Sequence, residues 1–466
     1  MEQIEKWLEQ KLPHGDAILF CIVVFYFALR LFFFATSIAP GIAPDETDHT
    51  KLIVLYSQYD GFSLPESRAT AEIDLVTHRP NLYFWLMGKL LFFNFFSLPT
   101  LLFLRLLHVL MSILTLMISF RLFRLLTNDK LISLLGVIVL TNIPMYSFLG
   151  AFVTYDNLLG LLAASSFYFL FKFLKTHKAK DLFALIITSL LGTLTKFPFL
   201  LLLIIFMLIG VLDWIKNKKQ YSDLLSPKKW KLTPKNGAAL ALIAGLLYLN
   251  ASFYLMNIVR YQRILPRCDQ VLPFEQCMQK KNFHIDTMLG DRAKKIPPAS
   301  FLKMHGYVGP WIKRIEKTIL GIFGHKVMLK TSKDLLAYNI LLLVFLLFFL
   351  RHFRFQDPWI NYSILSVLLY GWVLFYHVSY KIFYLNSGYV EANLQGRYLF
   401  PVITPIVFLF ASFMLAVKKK ALKVILFLIV SFVFILGDLP YFLKHADKSW
   451  YMKDWRETEK SVQLSS

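Results

Sequence analysis

The chain has 466 residues, of which 57% are hydrophobic and only 17% charged, with 45 Phe and a mean hydropathy of +0.55. These values exclude a disordered chain and lie far from the usual soluble composition, in which about a quarter of residues are charged. The net charge of +22 would suggest nucleic acid in a soluble protein. Here Lys and Arg cluster between apolar runs, where they orient helices and meet anionic headgroups, so nucleic acid is set aside as a partner.

Apolar runs recur along the whole chain at the length a helix needs to cross a hydrocarbon layer about 30 Å thick. Spans are expected near 17–39, 98–120, 131–149, 157–174, 182–195, 198–212, 237–257, 334–350, 359–380, 398–416 and 421–441. The expected fold is therefore an all-α polytopic membrane protein with about 11 transmembrane helices. The run at 17–39 exceeds the roughly 7 to 15 residues of a signal-peptide core and is read as the first span. Lys196-Phe197-Pro198 either separates two helices or kinks one.

Charge decides between those two. With two helices, the clusters Arg121/Arg124/Lys130, Lys172/Lys175/Lys178/Lys180, 216–235, Arg351/Arg354 and 418–423 fall on one side, the cytoplasm by the positive-inside rule. A single kinked helix would put 418–423 on the opposite side. The N-terminus is then cytoplasmic. Two sizeable loops, 40–97 and 258–333, face outside together with the turn 150–156 and the segment 381–397. No internal repeat is visible. Residues 1–441 read as one transmembrane domain and 442–466 as a short polar tail.

The first external loop opens with Ala43-Pro44-Asp45-Glu46-Thr47-Asp48-His49. Adjacent carboxylates at a membrane exit can supply a general base or a cation ligand. Pro followed by Asp and Glu is also what a helix N-terminus prefers, so capping competes with catalysis. The loop closes on Thr77-His78-Arg79-Pro80-Asn81-Leu82-Tyr83-Phe84-Trp85. There His78 and Arg79 suit a phosphate, against an interfacial aromatic belt with a snorkelling Arg. Asp156 follows Thr154 at the start of an apolar run and reads equally as a helix cap.

Arg30 and Arg105 lie within predicted spans with no acid in a neighbouring apolar run, and are expected to reach a helix end or a carbonyl. Of the three cysteines, Cys21 reads as a small hydrophobe. Cys268 and Cys277 share the second external loop, close a short ring, and are expected to form a disulfide in an oxidising space. The His and Met residues show no zinc-like spacing.

In their order, these segments resemble the GT-C-type membrane glycosyltransferases that use polyprenyl-phosphate-linked sugars, the superfamily of protein O-mannosyltransferases and lipid A aminoarabinose transferases. The resemblance rests on the Asp45-Glu46 pair after the first span and on the basic-Pro-x-Leu-Tyr-x-Trp segment. It also rests on Phe152-Val153-Thr154-Tyr155-Asp156-Asn157, Leu194-Thr195-Lys196-Phe197-Pro198 and Gln395-Gly396-Arg397-Tyr398-Leu399-Phe400-Pro401. It covers about 17–416 and is nearest to an uncharacterised bacterial branch. Arg79-Pro80-Asn81 departs from the Lys-Pro-Pro of the aminoarabinose transferases, and 258–333 matches nothing in the pattern.

The resemblance implies an inverting glycosyltransferase of a bacterial inner membrane. A polyprenyl-phosphate-linked donor and a lipid, glycan or protein acceptor would meet on the extracytoplasmic face. It places Asp45 or Glu46 as base, Asp156 as a second acid that orients the acceptor or shares a divalent cation with Asp45, and His78, Arg79, Lys196, Arg397 and Tyr398 at the substrate. In this reading 40–97 is the catalytic loop and 258–333 a disulfide-stapled cover. The charge-derived topology independently puts Asp45, Glu46, His78, Arg79, Asp156, Lys196 and Arg397 on one face. The competing class is a transporter or flippase of a lipid-linked sugar, which needs polar groups at mid-membrane depth.

Overall fold

The computed structural model describes residues 15–67, 70, 71, 73–225, 233–322, 333–352 and 357–453. Arg354 and positions 226–232 of the 216–235 basic run lie outside them. Helices dominate. Among the described residues the only β pairing is an isolated bridge between Ile38 and Tyr451. Each of the eleven expected spans falls on helical structure, but among the described residues eight helices are long and apolar enough to cross a membrane. These are α1 (Gly15–Ser37), Thr100–Thr127, Tyr155–Thr176, Phe199–Lys216, Pro234–Tyr261, Pro358–Ser387, Gly396–Ala416 and Lys420–His445. The chain is an all-α polytopic membrane protein.

The three spans that fall short do so for two reasons. The run at 131–149 is two helices, Lys130–Thr141 and Pro144–Leu149, separated where Ile143 is extended and Pro144 starts the second piece. From Ile132 to Thr141 every residue is buried, so this run is apolar because it is core, not because it meets lipid. The helices Ala179–Thr195 and Leu336–His352 have 17 residues each, about 26 Å at 1.5 Å per residue. The 182–212 region is two helices, Ala179–Thr195 and Phe199–Lys216, with Lys196 and Pro198 in the break.

Both intramembrane arginines have acidic partners, which corrects the expectation that they reach only helix ends or carbonyls. Arg30 donates to Asp438, to Asn142 Oδ1 (2.8 Å) and to the Thr141 carbonyl. Ser147 Oγ completes the Asp438 carboxylate at 2.9 Å. The break between Lys130–Thr141 and Pro144–Leu149 is thereby satisfied by a cation reaching across from α1. Asp438 is 408 positions away in the chain, and this separation hid the pair from a reading of neighbouring runs.

Charged groups at one end of the bundle are knitted together. Asp16 pairs with Arg124 and Lys130, Asp129 with Lys423, and Lys172 with Asp181. Lys175 reaches the Leu125 carbonyl, and His177 meets Asp213. The clusters at 121–130, 172–180 and 418–423 therefore share an end. Asp45, Asp156, Lys196 and Arg397 gather elsewhere.

Candidate functional site

The site starts where α1 ends. Asp45 has a left-handed backbone (φ 63°) and sits at the N-terminus of α2 (Glu46–Ser57), but its side chain does not cap that helix. Asp is among the few non-glycine residues that tolerate this conformation. The carboxylate instead accepts a hydrogen bond from Arg397 Nη2, 352 positions along the chain, and remains 39% exposed. Burial alone would raise the Asp45 carboxyl. The charge and hydrogen bond of Arg397 outweigh it, with help from His49 and Lys196, and hold it at about 2.

Glu46, adjacent in sequence, has a different environment. Its carboxylate is fully buried and receives Arg105 Nε at 2.8 Å and Nη2 at 2.7 Å. Arg105 Nη1 also donates to the Ala35 and Ile38 carbonyls, which the end of α1 leaves without intrahelical donors. Glu46 Oε1 further accepts the Val153 backbone N–H at 3.3 Å. This fork–fork pair joins the end of α1, the start of α2, the helix Thr100–Thr127 and the turn before Asp156. Glu46 was one of the two acids expected as base. Its carboxylate oxygens are instead taken up by Arg105 and the Val153 N–H and have no exposure.

His49, one turn beyond Asp45, was not singled out from sequence. Its Nδ1 lies 3.1 Å from the Val153 carbonyl, so the ring carries a proton there. Burial lowers its pKa against the opposing pull of Asp45. The ring packs against Tyr83, Phe84 and Tyr155. The i, i+4 spacing from Asp45 was the available signal.

Asp156 lies in the first turn of the helix Tyr155–Thr176, which Thr154 and not Asp156 caps. Thr154 Oγ1 accepts the Asp156 N–H at the start of Tyr155–Thr176, and Asn157 Nδ2 donates to the Leu149 and Phe152 carbonyls, fixing the turn. The buried Asp156 carboxylate is also 3.5 Å from Arg397 Nη1 and 4.0 Å from Lys196 Nζ. Lys196 follows Thr195 at the helix break, with Nζ 3.5 Å above the centre of the Tyr155 ring and 5.9 Å from that of Tyr398. Burial lowers the Lys196 pKa, opposed by Asp156.

Arg397 is set by its neighbour. The Gly396 N–H donates to Thr318 Oγ1 at 2.6 Å, and a Cβ on Gly396 would lie 2.6 Å from Ile319 Cβ and 2.7 Å from its backbone N. Only glycine lets the helix Met304–Leu320 approach this closely. The Arg397 side chain is 3% exposed, yet its Nε and Nη1 have no hydrogen-bond partner. Tyr398 holds its place through its carbonyl, which accepts from Tyr370 Oη at 3.1 Å.

The basic pair expected beside these groups is elsewhere engaged. Arg79 pairs with Asp74 at 3.2 Å and is 45% exposed. His78 places its ring edge-on to Tyr261 at 5.4 Å, and its carbonyl accepts from Asn257. Neither makes a hydrogen bond or ion pair with Asp45, Asp156 or Arg397 among the described residues. The two external loops are fastened to each other. Buried Lys280 donates to Glu66 Oε2 and to the Thr70 and Asp74 carbonyls, and Lys281 pairs with Asp48. Cys268 and Cys277 are joined, with Cα atoms 5.6 Å apart, and pack on Leu75 of the first loop. Among the described residues no three His, Cys, Asp or Glu side chains gather as a metal would need. Asp45 and Asp156 both turn to Arg397, so the residues present do not fit a divalent ion shared by that pair.

Comparison with known proteins gives three kinds of result. Residues 78–226 match the model of the dolichyl-phosphate-mannose-protein mannosyltransferase family. No curated protein matches the chain. Among solved structures, ArnT from Cupriavidus metallidurans bound to undecaprenyl phosphate aligns at 15% identity and a TM-score of 0.48, over 89% of this chain and 62% of that one. The Saccharomyces cerevisiae protein O-mannosyltransferase Pmt1-Pmt2 complex bound to the sugar donor aligns at 15% identity and 0.36, over 53% and 34%. The Archaeoglobus fulgidus oligosaccharyltransferase tethered with an acceptor peptide aligns at 13% and 0.43, over 95% and 56%. The chain thus spans about 62% of the length of ArnT. The segment matched by the family model, about a third of the chain, holds Asp156 and Lys196.

Proposed function

We propose that this integral membrane protein transfers a sugar from a polyprenyl-phosphate donor to an acceptor hydroxyl at the end of the bundle that holds Asp45. The observation that carries this reading is the buried Arg397 guanidinium, whose Nε and Nη1 lack hydrogen bonds beside a partly exposed carboxylate. Burying N–H groups of a charged side chain without acceptors is costly, and a phosphate diester supplies acceptors in the geometry a guanidinium favours.

In the transfer, the acceptor oxygen bonds to the anomeric carbon while the bond from that carbon to the phosphate oxygen breaks. The acceptor proton passes to Asp45, and the lipid phosphate leaves with the bonding electron pair, its charge met by Arg397 and Lys196. Attack opposite the leaving phosphate inverts the anomeric centre. Asp156 holds both cations in place, and Glu46 with Arg105 fixes the backbone that presents Asp45. While Arg397 holds it, the Asp45 carboxylate is a weak base. A phosphate that draws the guanidinium to itself restores basicity only when the donor is present. The position of the basic clusters at the other end of the bundle supports an extracytoplasmic site in a bacterial inner membrane.

Mass spectrometry of lipid copurifying with the protein tests this directly. A polyprenyl phosphate retained by the wild type and lost from Arg397→Gln is the expected result. Retention of that lipid by Arg397→Gln, or absence of any polyprenyl phosphate from the wild type after enrichment, would count against the assignment.

A further inference from the structure

A cavity lies between the first external loop and the end of the helix Pro234–Tyr261. It has a volume of about 280 Å³, and none of Asp45, Asp156, Lys196 and Arg397 lines it. Its walls mix apolar groups with polar ones, Ser63, Thr77, Ser252 and Asn257 among the latter. Leu249, Phe253, Met256 and Arg260 line it from the helix, and Phe62 and His78 from the loop. The spacing of four, three and four residues puts the first four on one helix face, apolar up to the last turn and cationic there.

Distance gives this stripe a meaning. Eleven residues at 1.5 Å each span about 16 Å, close to the roughly 15 Å of one leaflet's hydrocarbon. The stripe opens to the side at Met256, 40% exposed, beside the exposed Leu255 and Val259, while Phe253 forms its buried floor with its ring against Phe62. An Arg in the last turn of a membrane helix is often only snorkelling. Arg260, however, is exposed and has neither an ion pair nor a hydrogen bond among the described residues. A second group that can bear a positive charge, His78, shares its cavity and is fixed there by Tyr261 and Asn257.

We propose that this groove binds one anionic glycerophospholipid of the surrounding leaflet. Its phosphate lies on Arg260 and His78, and one acyl chain runs along Met256, Phe253 and Leu249. The match in length favours a membrane lipid over free phosphate, and the unpaired Arg260 favours an anionic headgroup over a zwitterionic one. The walls come from both the first loop and the helix, so an occupant would hold the loop against the bundle. The inference rests on the membrane embedding and not on the sugar-transfer reading.

Native mass spectrometry of delipidated protein titrated with phosphatidylglycerol or phosphatidylcholine tests it. One phosphatidylglycerol should persist at collision energies that strip phosphatidylcholine. Arg260→Gln should weaken retention about tenfold or more, the range for a hydrogen bond to a charged group. Phe253→Ala should weaken both lipids. Arg397→Gln should leave phosphatidylglycerol binding unchanged. Equal retention of the two lipids, unchanged binding in Arg260→Gln, or displacement by millimolar inorganic phosphate would overturn the proposal. Loss of phosphatidylglycerol from Arg397→Gln would also overturn it, by placing the lipid in the transfer site.

Discussion

Arg105 and Arg397 are both buried guanidiniums near the end of the bundle that holds Asp45, and they differ in how they are satisfied. Arg105 is saturated: a bidentate pair with Glu46 and two carbonyls at the end of α1. Arg397 touches Asp45 and approaches Asp156, but two of its nitrogens have no hydrogen-bond acceptor. A saturated buried charge fixes architecture, because every lone pair and proton has a partner in the fold. An unsaturated one costs stability unless something else completes it. The neighbouring acids Asp45 and Glu46 divide the same way. One faces an incomplete cation and is partly exposed, the other a complete one and is sealed.

The contrast is broken most sharply at Asp45. Asp45→Asn should lower sugar transfer by about 10²- to 10⁴-fold, the range for a positioned general base, because the amide keeps its shape but takes no proton. The protein should still fold and insert. Near-normal turnover with a polyprenyl-phosphate donor would remove Asp45 from the mechanism.

Glu46→Gln should act on stability instead. Removing one partner of a buried pair leaves Arg105 uncompensated, at a cost of about 3 to 5 kcal/mol. Thermal unfolding in detergent should register this as a large drop or as failure to accumulate folded protein. A double change, Glu46→Gln with Arg105→Met, should recover part of the loss. If Glu46→Gln were fully stable and inactive, the base would have been assigned to the wrong acid.

Arg397→Lys tests the other half. A lysine keeps the charge but not the planar fork, so turnover should fall by about 10²- to 10³-fold, as for loss of one group stabilising transition-state charge. Stability should change little, because two of the hydrogen-bonding positions lost were already without partners. A stability loss as large as that of Glu46→Gln would mean that Arg397 is structural too.

Much of this division lay beyond the reach of sequence, for reasons that particular residues make plain. The helices were legible because lipid and core both demand apolar runs. For the same reason the buried helix Lys130–Thr141 was indistinguishable from a span until its burial and the break at Pro144 were visible. Asp45, Asp156, Lys196 and Arg397 were placed on one face by counting charges between helices, and the structure brings them into mutual range. The partners of Arg30 and Arg105 were not legible. Asp438 is 408 positions from its cation and Glu46 is 59 from its own, and nothing local announces such pairings. His78 and Arg79 looked equivalent to the other cations because a motif records order and not direction. Asp74 draws Arg79 away.

The smallest expected effect is a pH dependence, and its sign follows from the Asp45 carboxyl. Arg397 holds that group at about 2 in the folded protein, below the ordinary value of about 3.9. A depressed carboxyl adds stability that is fully present above the unfolded value and is lost as pH falls through the folded one. The wild type should therefore exceed Asp45→Asn in melting temperature by a steady margin from neutral pH to about 5. That margin should narrow below about 4 and be largely gone near 2. Because the side chain is 39% exposed, solvent screens the pair and the margin should be modest. Added polyprenyl phosphate should move the narrowing to higher pH, since a phosphate on Arg397 takes away the hydrogen bond that depresses Asp45. A margin that widens on acidification, or one indifferent to the lipid, would separate Asp45 from Arg397 and undo the contrast with the Glu46–Arg105 pair.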